Sequence, residues 1–431
     1  MHTNSNTYLE NKKMILVLGG TTEGRIAVQT LEEAGKPFYY STKGYEQDIP
    51  LHNGIRLQGG MDKDAMESFC RKENISLLID AAHPFAEELH RNVNDVSDKL
   101  QIPAILYDRI YPRIEKHDGI VWCDSFEDAV QKIKKEEVYI LLALTGVKSI
   151  GKLKALWQES CRCYFRILDR ESSRELARSE AFPEEYLRYY HAGEDERLLI
   201  RQIRPDAIVI KESGASGGFS EKVEAAQELG IRIFIIKRPP LQPNLLPVNG
   251  RHGLRRMVEL YHPGFYDLRS GFTTGTCAAA AAAAAIWDIF NLDGTPRPPE
   301  FIVTLPNGEM IGVPVEPQKQ RPRSSSVNDN WMVESEACVI KDAGDDPDIT
   351  NGMQIKVNIA LPFNMDEVNS GKQQDDYNII IAGGEGIGIV TMPGLGLELG
   401  APAINPTPRK MIEENVRMYL SYVGVPKMSN P

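Results

Sequence analysis

An α/β chain with two side-by-side doubly wound, Rossmann-like parallel-sheet units, followed by an α+β C-terminal domain, is predicted by three features. From Met14 to about Tyr261, short Val/Ile/Leu-rich runs alternate with amphipathic segments, the order of parallel strands joined by helices. A glycine-rich turn, Gly19-Gly20-Thr21-Thr22-Glu23-Gly24-Arg25, directly follows the apolar run Met14 to Leu18. After His262-Pro263-Gly264 the texture changes to one alanine-rich segment and then hairpin-punctuated strands.

The strands expected in the first part are Ile15–Leu18, Phe38–Thr42, Leu77–Ala81, Ala104–Tyr107, Val138–Leu144, Cys163–Leu168, Ala207–Lys211 and Ile233–Lys237. Eight exceed one small sheet, so they divide into units over 14–128 and 129–262, with ligands expected at the carboxyl ends of the strands. Arg238-Pro239-Pro240-Leu241-Gln242-Pro243 stops the last strand, and Leu254–Tyr261 is expected to pack back as a closing helix. The third domain, 268–431, is expected to hold a helix over Gly275–Ile289, strands over Phe301–Leu305, Met310–Val315, Val333–Ile340, Gln354–Leu361 and Asn378–Ala382, and a helix over Arg409–Tyr422. Pro317–Asn330 and Asn364–Asp376 read as polar loops.

Composition narrows the function classes. At 431 residues two or three domains are the natural expectation. A formal charge of -11 argues against a nucleic-acid partner, which calls for a basic face. The longest apolar run, Cys277 to Trp287, is far short of the roughly 20 residues that span a bilayer. Residues 1–13 are polar and read as a disordered extension, not a signal peptide. The six cysteines are scattered without a CxxC pair, which suits free thiols in a cytoplasmic setting and no metal site.

The first glycine turn departs from the usual G-x-G-x-x-G spacing, but it opens a helix capped by Thr21 or Thr22 after a buried-type strand. Its amides can cradle a pyrophosphate; a ligand-free tight turn is the alternative. At the end of the next strand stand Ser41-Thr42-Lys43-Gly44 in place of the acidic residue that would grip a ribose hydroxyl, so with Arg25 the site is read as preferring NADPH. Gly19, Gly20, Thr21, Thr22, Gly24, Arg25, Ser41, Thr42 and Lys43 are therefore the expected cofactor residues, with Thr145 and Gly146 at another strand end. Asp80-Ala81-Ala82-His83-Pro84-Phe85 and Lys211-Glu212-Ser213-Gly214-Ala215-Ser216-Gly217-Gly218 also lie at strand ends, the latter resembling a second anion-binding turn.

In the third domain, Thr273-Thr274-Gly275-Thr276 precedes Cys277 and eight alanines, placing hydroxyls and amides at a helix start that suits a carboxylate. Alanine's high helix propensity explains the run that follows but not the threonines. Asp342, Asp345, Asp346 and Asp348 crowd one turn, and Gly383-Gly384-Glu385-Gly386-Ile387-Gly388 and Pro393-Gly394-Leu395-Gly396 let backbone approach a ligand.

The Gly19–Arg25 turn, His83-Pro84-Phe85-Ala86 after Asp80, Lys211 to Gly218 with Glu221-Lys222, and Arg238-Pro239 together resemble the precorrin-6A reductases of cobalamin biosynthesis, over about 14–261. That resemblance implies reduction of a corrin-ring double bond by NADPH, with a proton from an acid such as His83 or Lys211. Asp80, Glu212, Ser213, Gly214, Gly217, Gly218 and Lys222 are the expected substrate residues. The acidic tetrapyrrole needs local cations, for which Arg109 with Arg113, and Arg162, Arg166 and Arg170, are candidate clamps.

Leu268 to Ala278, the acidic turn and the glycine-rich segments resemble the first half of the cobalt-precorrin-5B C1-methyltransferases. The implication is S-adenosylmethionine as methyl donor, the acidic tetrapyrrole as acceptor, and Thr273, Thr274, Gly275 and Thr276 as substrate residues. A partial methyltransferase domain is expected, completed by a separately encoded second half or retained as a corrin-binding or assembly module without transfer activity. A nucleotide-binding regulator without turnover is the remaining alternative.

Overall fold

The computed structural model describes residues 13–44, 49–111, 119–191, 193–291, 295–318, 322–327, 330–363, 378–392 and 396–423. The chain divides into two compact units, one of Met1–Val28 with Pro37–Pro247, the other of Gln29–Lys36 with Val248–Pro431.

The first unit begins with β1 (Met14–Leu18), α1 (Thr22–Glu32), β2 (Phe38–Thr42), β3 (Gly54–Gln58), α2 (Lys63–Lys72), β4 (Ile75–Asp80), α3 (Glu87–Leu100) and β5 (Ala104–Tyr107). It continues with β6 (Ile120–Cys123), α4 (Phe126–Lys135), β7 (Ile140–Ala143), α5 (Lys154–Trp157), β8 (Arg162–Leu168), α6 (Glu171–Ser179), β9 (Leu187–Tyr190), α7 (Glu196–Ile203), β10 (Ala207–Lys211), α8 (Phe219–Glu228), β11 (Arg232–Ile236) and β12 (Leu245–Val248). Two six-stranded sheets result, ordered β12-β5-β4-β1-β2-β3 and β6-β11-β10-β7-β8-β9. In the first, β1 pairs in parallel with β2 and β4; in the second every pair is parallel.

All five residues of β1 are buried, as a central parallel strand covered on both faces requires. In the second sheet, alternate residues feed opposite cores: Leu141, Ala143, Val209 and Phe234 face one, Leu142, Ile208, Ile210 and Ile235 the other. Each fully buried Leu or Ile contributes about 1.5–3 kcal/mol by leaving water.

All eight expected strands form, and β3, β6, β9 and β12 join them. Gly, Arg, Tyr or Pro residues interrupt the apolar pattern of β3, β9 and β12, while β6 is a four-residue apolar run, Ile120-Val121-Trp122-Cys123, at a sheet edge. Two of them also move the expected partition. β6 pairs with β11, so the second sheet starts before residue 128, and β12 returns to the edge of the first sheet. The helix expected to close this region, α9 (Arg251–Tyr261), falls within the second compact unit.

The second unit is α+β. It contains α10 (Thr274–Phe290), the antiparallel pair β13 (Glu300–Thr304) and β14 (Met310–Pro314), an antiparallel sheet of β15 (Arg323–Val327), β16 (Asn330–Ile340) and β17 (Gln354–Phe363), and α11 (Pro406–Val423). Ala279 to Ala285 have no exposed surface, because small side chains let α10 lie close to the sheets and to α11. β15 occupies part of the expected loop Pro317–Asn330; its polar Arg323-Ser324-Ser325-Ser326 is recruited by pairing with β16, Arg323 opposite Glu334. Asn378–Ala382 is not a strand: Ile379 packs against the α10–α11 core while Ile380 stays exposed, and an isolated bridge, Ile389 to Pro402, forms further on. Asn364–Asp376, Pro393–Leu395 and the expected extension up to residue 12 lie outside the described residues.

Candidate functional site

In the first sheet the chain runs from β1 outward to β3, then crosses back to β4 on the other side of β1. The carboxyl ends of β1 and β4 thus flank the reversal point, where open parallel sheets hold ligands. Gly19 and Gly20 lie there. A Cβ on Gly19 would stand 2.5 Å from the Tyr40 ring, and Gly20 has a φ of 114°. Thr21 spans the opening: its hydroxyl donates to the Ala81 carbonyl at 2.7 Å and accepts from the Gly24 amide at 3.1 Å. Thr22 and Glu23 open α1, so their amides have no acceptor inside the helix. The Gly20 amide meets the Tyr40 hydroxyl at 3.3 Å.

At the end of β2, Ser41 and Thr42 are buried and the Thr42 hydroxyl donates to Gly44 at 2.9 Å, while Lys43 and Arg25 are exposed. Ser41 to Gly44, the described residues at this strand end, include a cation and no acidic residue. At the end of β4, Asp80 is fully buried, its Oδ2 2.6 Å from His90 Nδ1, and His90 Nε2 lies 3.1 Å from the His83 carbonyl. Burial works against charge on His90, but Asp80 beside it raises the pKa on balance. His83 goes the other way: burial, with Arg109 and Lys211 next, lowers it to about 3. Its Nδ1 accepts the Phe85 amide at 3.2 Å.

The second sheet reverses between β7 and β10. Thr145 and Gly146 follow β7, with the Thr145 hydroxyl 2.6 Å from that of Ser149. They belong to this second crevice, not to the strand ends around Gly19. Lys211 ends β10 with its ammonium 5.2 Å from the Phe85 ring centre and 5.5 Å from that of Phe126. Burial, then Lys152, Lys148 and Lys222, lowers its pKa to about 8. Lys222 is lowered as well, chiefly by burial, and donates to the Gly217 carbonyl at 2.8 Å. Glu212 accepts from the Arg238 amide at 2.9 Å.

Gly214 to Gly218 is not an open anion turn. It closes on Arg109: a Cβ on Gly214 would lie 2.7 Å from Arg109 Cβ, and one on Gly217 would lie 2.4 Å from Ser213 Oγ and 3.0 Å from Arg109 Nη1. Arg109 Nη1 donates to the Ser213 carbonyl at 2.7 Å, and Nη2 lies 3.0 Å from Glu23 Oε2. Sequence reasoning passed over this Glu23–Arg109 pair and the Asp80–His90 pair; an acidic residue within a glycine turn is the trace it left of the first. Nearby, a cleft of about 130 Å³ is lined by His90, Arg91, Arg109, Tyr111, Arg238 and Leu241 among others. Arg238 stacks 3.9 Å from the Tyr111 ring centre and pairs with Asp108 at 2.5 Å.

The other expected arginine clamps are not brought together. Arg162 begins β8, at the amino end of the sheet, away from the crevice. Arg166 is buried between Glu194 at 2.5 Å and Glu196 at 2.8 Å, a structural pair. Arg170 directly precedes α6, and Arg113 lies outside the described residues.

In the second unit, the threonine cluster is largely occupied by its own neighbours. The Thr273 hydroxyl accepts the Thr276 amide at 3.1 Å and lies 2.9 Å from the Thr276 hydroxyl. Lys341, 2% exposed, reaches the Thr274 hydroxyl at 3.2 Å and the Thr350 hydroxyl at 2.6 Å and pairs with Asp348. That bonding holds the Asp348 carboxyl well below the ordinary range. Asp342 pairs with Arg269 at 2.6 Å and Arg256 at 3.1 Å, and Asp345 accepts the Arg269 amide at 2.6 Å. Gly271 is needed because a Cβ there would stand 1.9 Å from the Ala343 carbonyl carbon. A Cβ on Gly275 would lie 3.0 Å from Met411 and Pro408. Among the described residues no group of three or more His, Cys, Asp or Glu could hold a metal. The glycine-rich stretch 383–388 is exposed.

Comparison with known proteins also divides the chain in two, with a boundary after α9 where the compact units divide before it. Residues 14–259 match the family model described as precorrin-6x reductase CbiJ/CobK, and residues 262–426 match the CbiD model. A cobalt-precorrin-6A reductase of Priestia megaterium is 28% identical over 236 residues, covering 53% of this chain and 92% of the relative. A cobalt-precorrin-5B C(1)-methyltransferase of Moorella thermoacetica is 45% identical over 149 residues, covering 35% of this chain and 33% of the relative. A solved structure titled CobK precorrin-6A reductase aligns with a TM-score of 0.46 at 20% identity, over 58% of this chain and 98% of that one. The CbiD model is matched across 262–426, and the chain spans about a third of the length of the Moorella enzyme.

Proposed function

The chain belongs to the precorrin-6x reductase family over residues 14–259, and on that premise we propose that its first unit reduces a ring double bond of precorrin-6A or cobalt-precorrin-6A with NADPH, as a step of cobalamin biosynthesis in the cytoplasm. One observation carries the reading. A Thr21-capped, glycine-lined helix start sits at the β1/β4 reversal, and it is tied through Glu23 and Arg109 to the loop that begins with Lys211.

The dinucleotide fits the residues present. Gly19 has no room for a Cβ beside Tyr40, which keeps the turn low, and the amides opening α1 with the helix dipole favour a diphosphate. Lys43 and Arg25, exposed beside the β2 end, suit a 2′-phosphate where an acidic residue would repel it. Bound NADPH supplies the hydride.

Lys211 gives the proton to the neighbouring ring carbon. With a pKa near 8 it is mostly protonated at pH 7 and still a willing acid. His83, held neutral at pH 7, orients the β4 loop through Phe85 instead of acting as the acid. Lys148, Lys152, Lys222 and Arg238 offset the carboxylates of the macrocycle. Asp80 and Glu212 orient His90 and the Arg238 backbone.

The test is oxidation of NADPH by the full chain with a precorrin-6A or cobalt-precorrin-6A preparation. Substrate-dependent loss of nicotinamide absorbance is expected; none would leave only a nucleotide-binding regulator.

For the second unit we propose binding of an acidic tetrapyrrole. Transfer of a methyl group from S-adenosylmethionine, alone or with a separately encoded polypeptide, is the first reading. The self-capped Thr273–Thr276 cluster favours the second, a corrin-binding or assembly module. Labelled methyl transfer to cobalt-precorrin-5B separates the two.

A further inference from the structure

Glu23 conflicts with the task proposed for its own turn. It is the second residue of α1 and 5% exposed, so the turn whose amides would receive a diphosphate also carries a buried carboxylate. A negative charge at that place repels another strongly, since a buried pair is poorly screened.

Arg109 and Ser216 meet that carboxylate. Arg109, 8% exposed, brings Nη2 to 3.0 Å from Glu23 Oε2, and the Ser216 hydroxyl donates to Glu23 Oε1. The same guanidinium donates to the Ser213 carbonyl, and the Ala215 amide donates to the Ile110 carbonyl at 2.9 Å. Gly214 and Gly217 leave the room Arg109 occupies. Three segments remote in sequence, the nucleotide turn, the β5 end and the Lys211 loop, therefore close over one buried charge pair.

We propose that Glu23 and Arg109 form a charge-compensating clasp that sets NADPH affinity while fixing the loop that carries Lys211. Arg109 cancels the carboxylate at the helix start, and Glu23 holds the guanidinium where Gly214 and Gly217 can close on it. Both are positioning residues; neither touches the reacting carbons. The inference rests on the nucleotide reading given above.

The test is equilibrium titration of the full chain with NADPH, followed by protein fluorescence, with melting temperatures measured in parallel. Arg109→Met leaves the carboxylate uncompensated and is expected to weaken NADPH on the order of tenfold. Glu23→Gln keeps the hydrogen bond from Ser216, leaves Arg109 unopposed, and is expected to tighten NADPH about threefold. The double variant returns toward the wild-type Kd. A scaffold-only pair predicts that both single variants bind more weakly, because each breaks the same bridge; that result overturns the inference. If Arg109→Met does not fold, Arg109→Lys keeps the charge and is expected within about twofold of wild type, while a loss like that expected for methionine overturns the clasp. Failure of the wild-type chain to bind NADPH overturns the nucleotide reading itself.

Discussion

Both capping threonines accept an amide of their own helix, Thr21 that of Gly24 and Thr273 that of Thr276, but Thr21 also donates to the neighbouring strand end at Ala81, whereas the Thr273 hydroxyl meets the Thr276 hydroxyl beside it. Both starts combine threonine, glycine and a helix dipole. The first stands at the reversal point of a parallel sheet, with Lys43 and Arg25 exposed and Glu23 paired with Arg109. The second is met by buried Lys341, which takes the Thr274 hydroxyl and pairs with Asp348. A helix start is an anion site only when its surroundings leave the amides to a ligand. Identical local chemistry can otherwise be consumed in holding two segments together.

The contrast is most sharply tested at Lys211, since only the first unit is assigned a proton transfer. Lys211→Met is expected to lower kcat by about 10²- to 10⁴-fold while NADPH affinity stays near wild type. In the wild-type chain the rate should fall as pH rises through about 8, where burial and the neighbouring lysines let the ammonium lose its proton. A pH profile flat from 7 to 9 would assign the proton to another group.

Next in size, Gly19→Val drives a side chain into Tyr40 and is expected to weaken NADPH by about a hundredfold, since a displaced turn loses several amide contacts at once. Unchanged affinity would make the turn a structural bend like that at α10. Replacing Lys43 and Arg25 together with Ala should cost about tenfold in NADPH affinity and little in NADH affinity. Equal losses would put the 2′-phosphate elsewhere. The smallest effect is expected of Thr273→Val, a lost cap worth about 1 kcal/mol in the stability of the second unit with no change in NADPH binding. Weaker NADPH binding in that variant would contradict the division of labour between the two helix starts.

These residues also mark how far the sequence could be read. The central strands were legible because a strand covered on both faces is an uninterrupted apolar run, as Met14–Leu18 and Ala207–Lys211 are. The edge strand β9, Leu187-Arg188-Tyr189-Tyr190, carries no such run, and β15 is a strand only because β16 offers it a ladder. The glycine turn, Lys211 and the strand-end polar residues were legible for a similar reason: local order places them. The Glu23–Arg109 pair was not, because it depends on which loops two sheets bring together. Gly214 and Gly217 read as an anion cradle in sequence for the same reason they surround Arg109 in the fold: glycine reports close approach without saying of what.

Amide hydrogen exchange across both helix starts, with and without NADPH, tests the account most directly. Slower exchange at Thr22 to Gly24 with no change at Thr274 to Thr276 is the predicted result; protection confined to the second start, or absent from both at saturating NADPH, would contradict it.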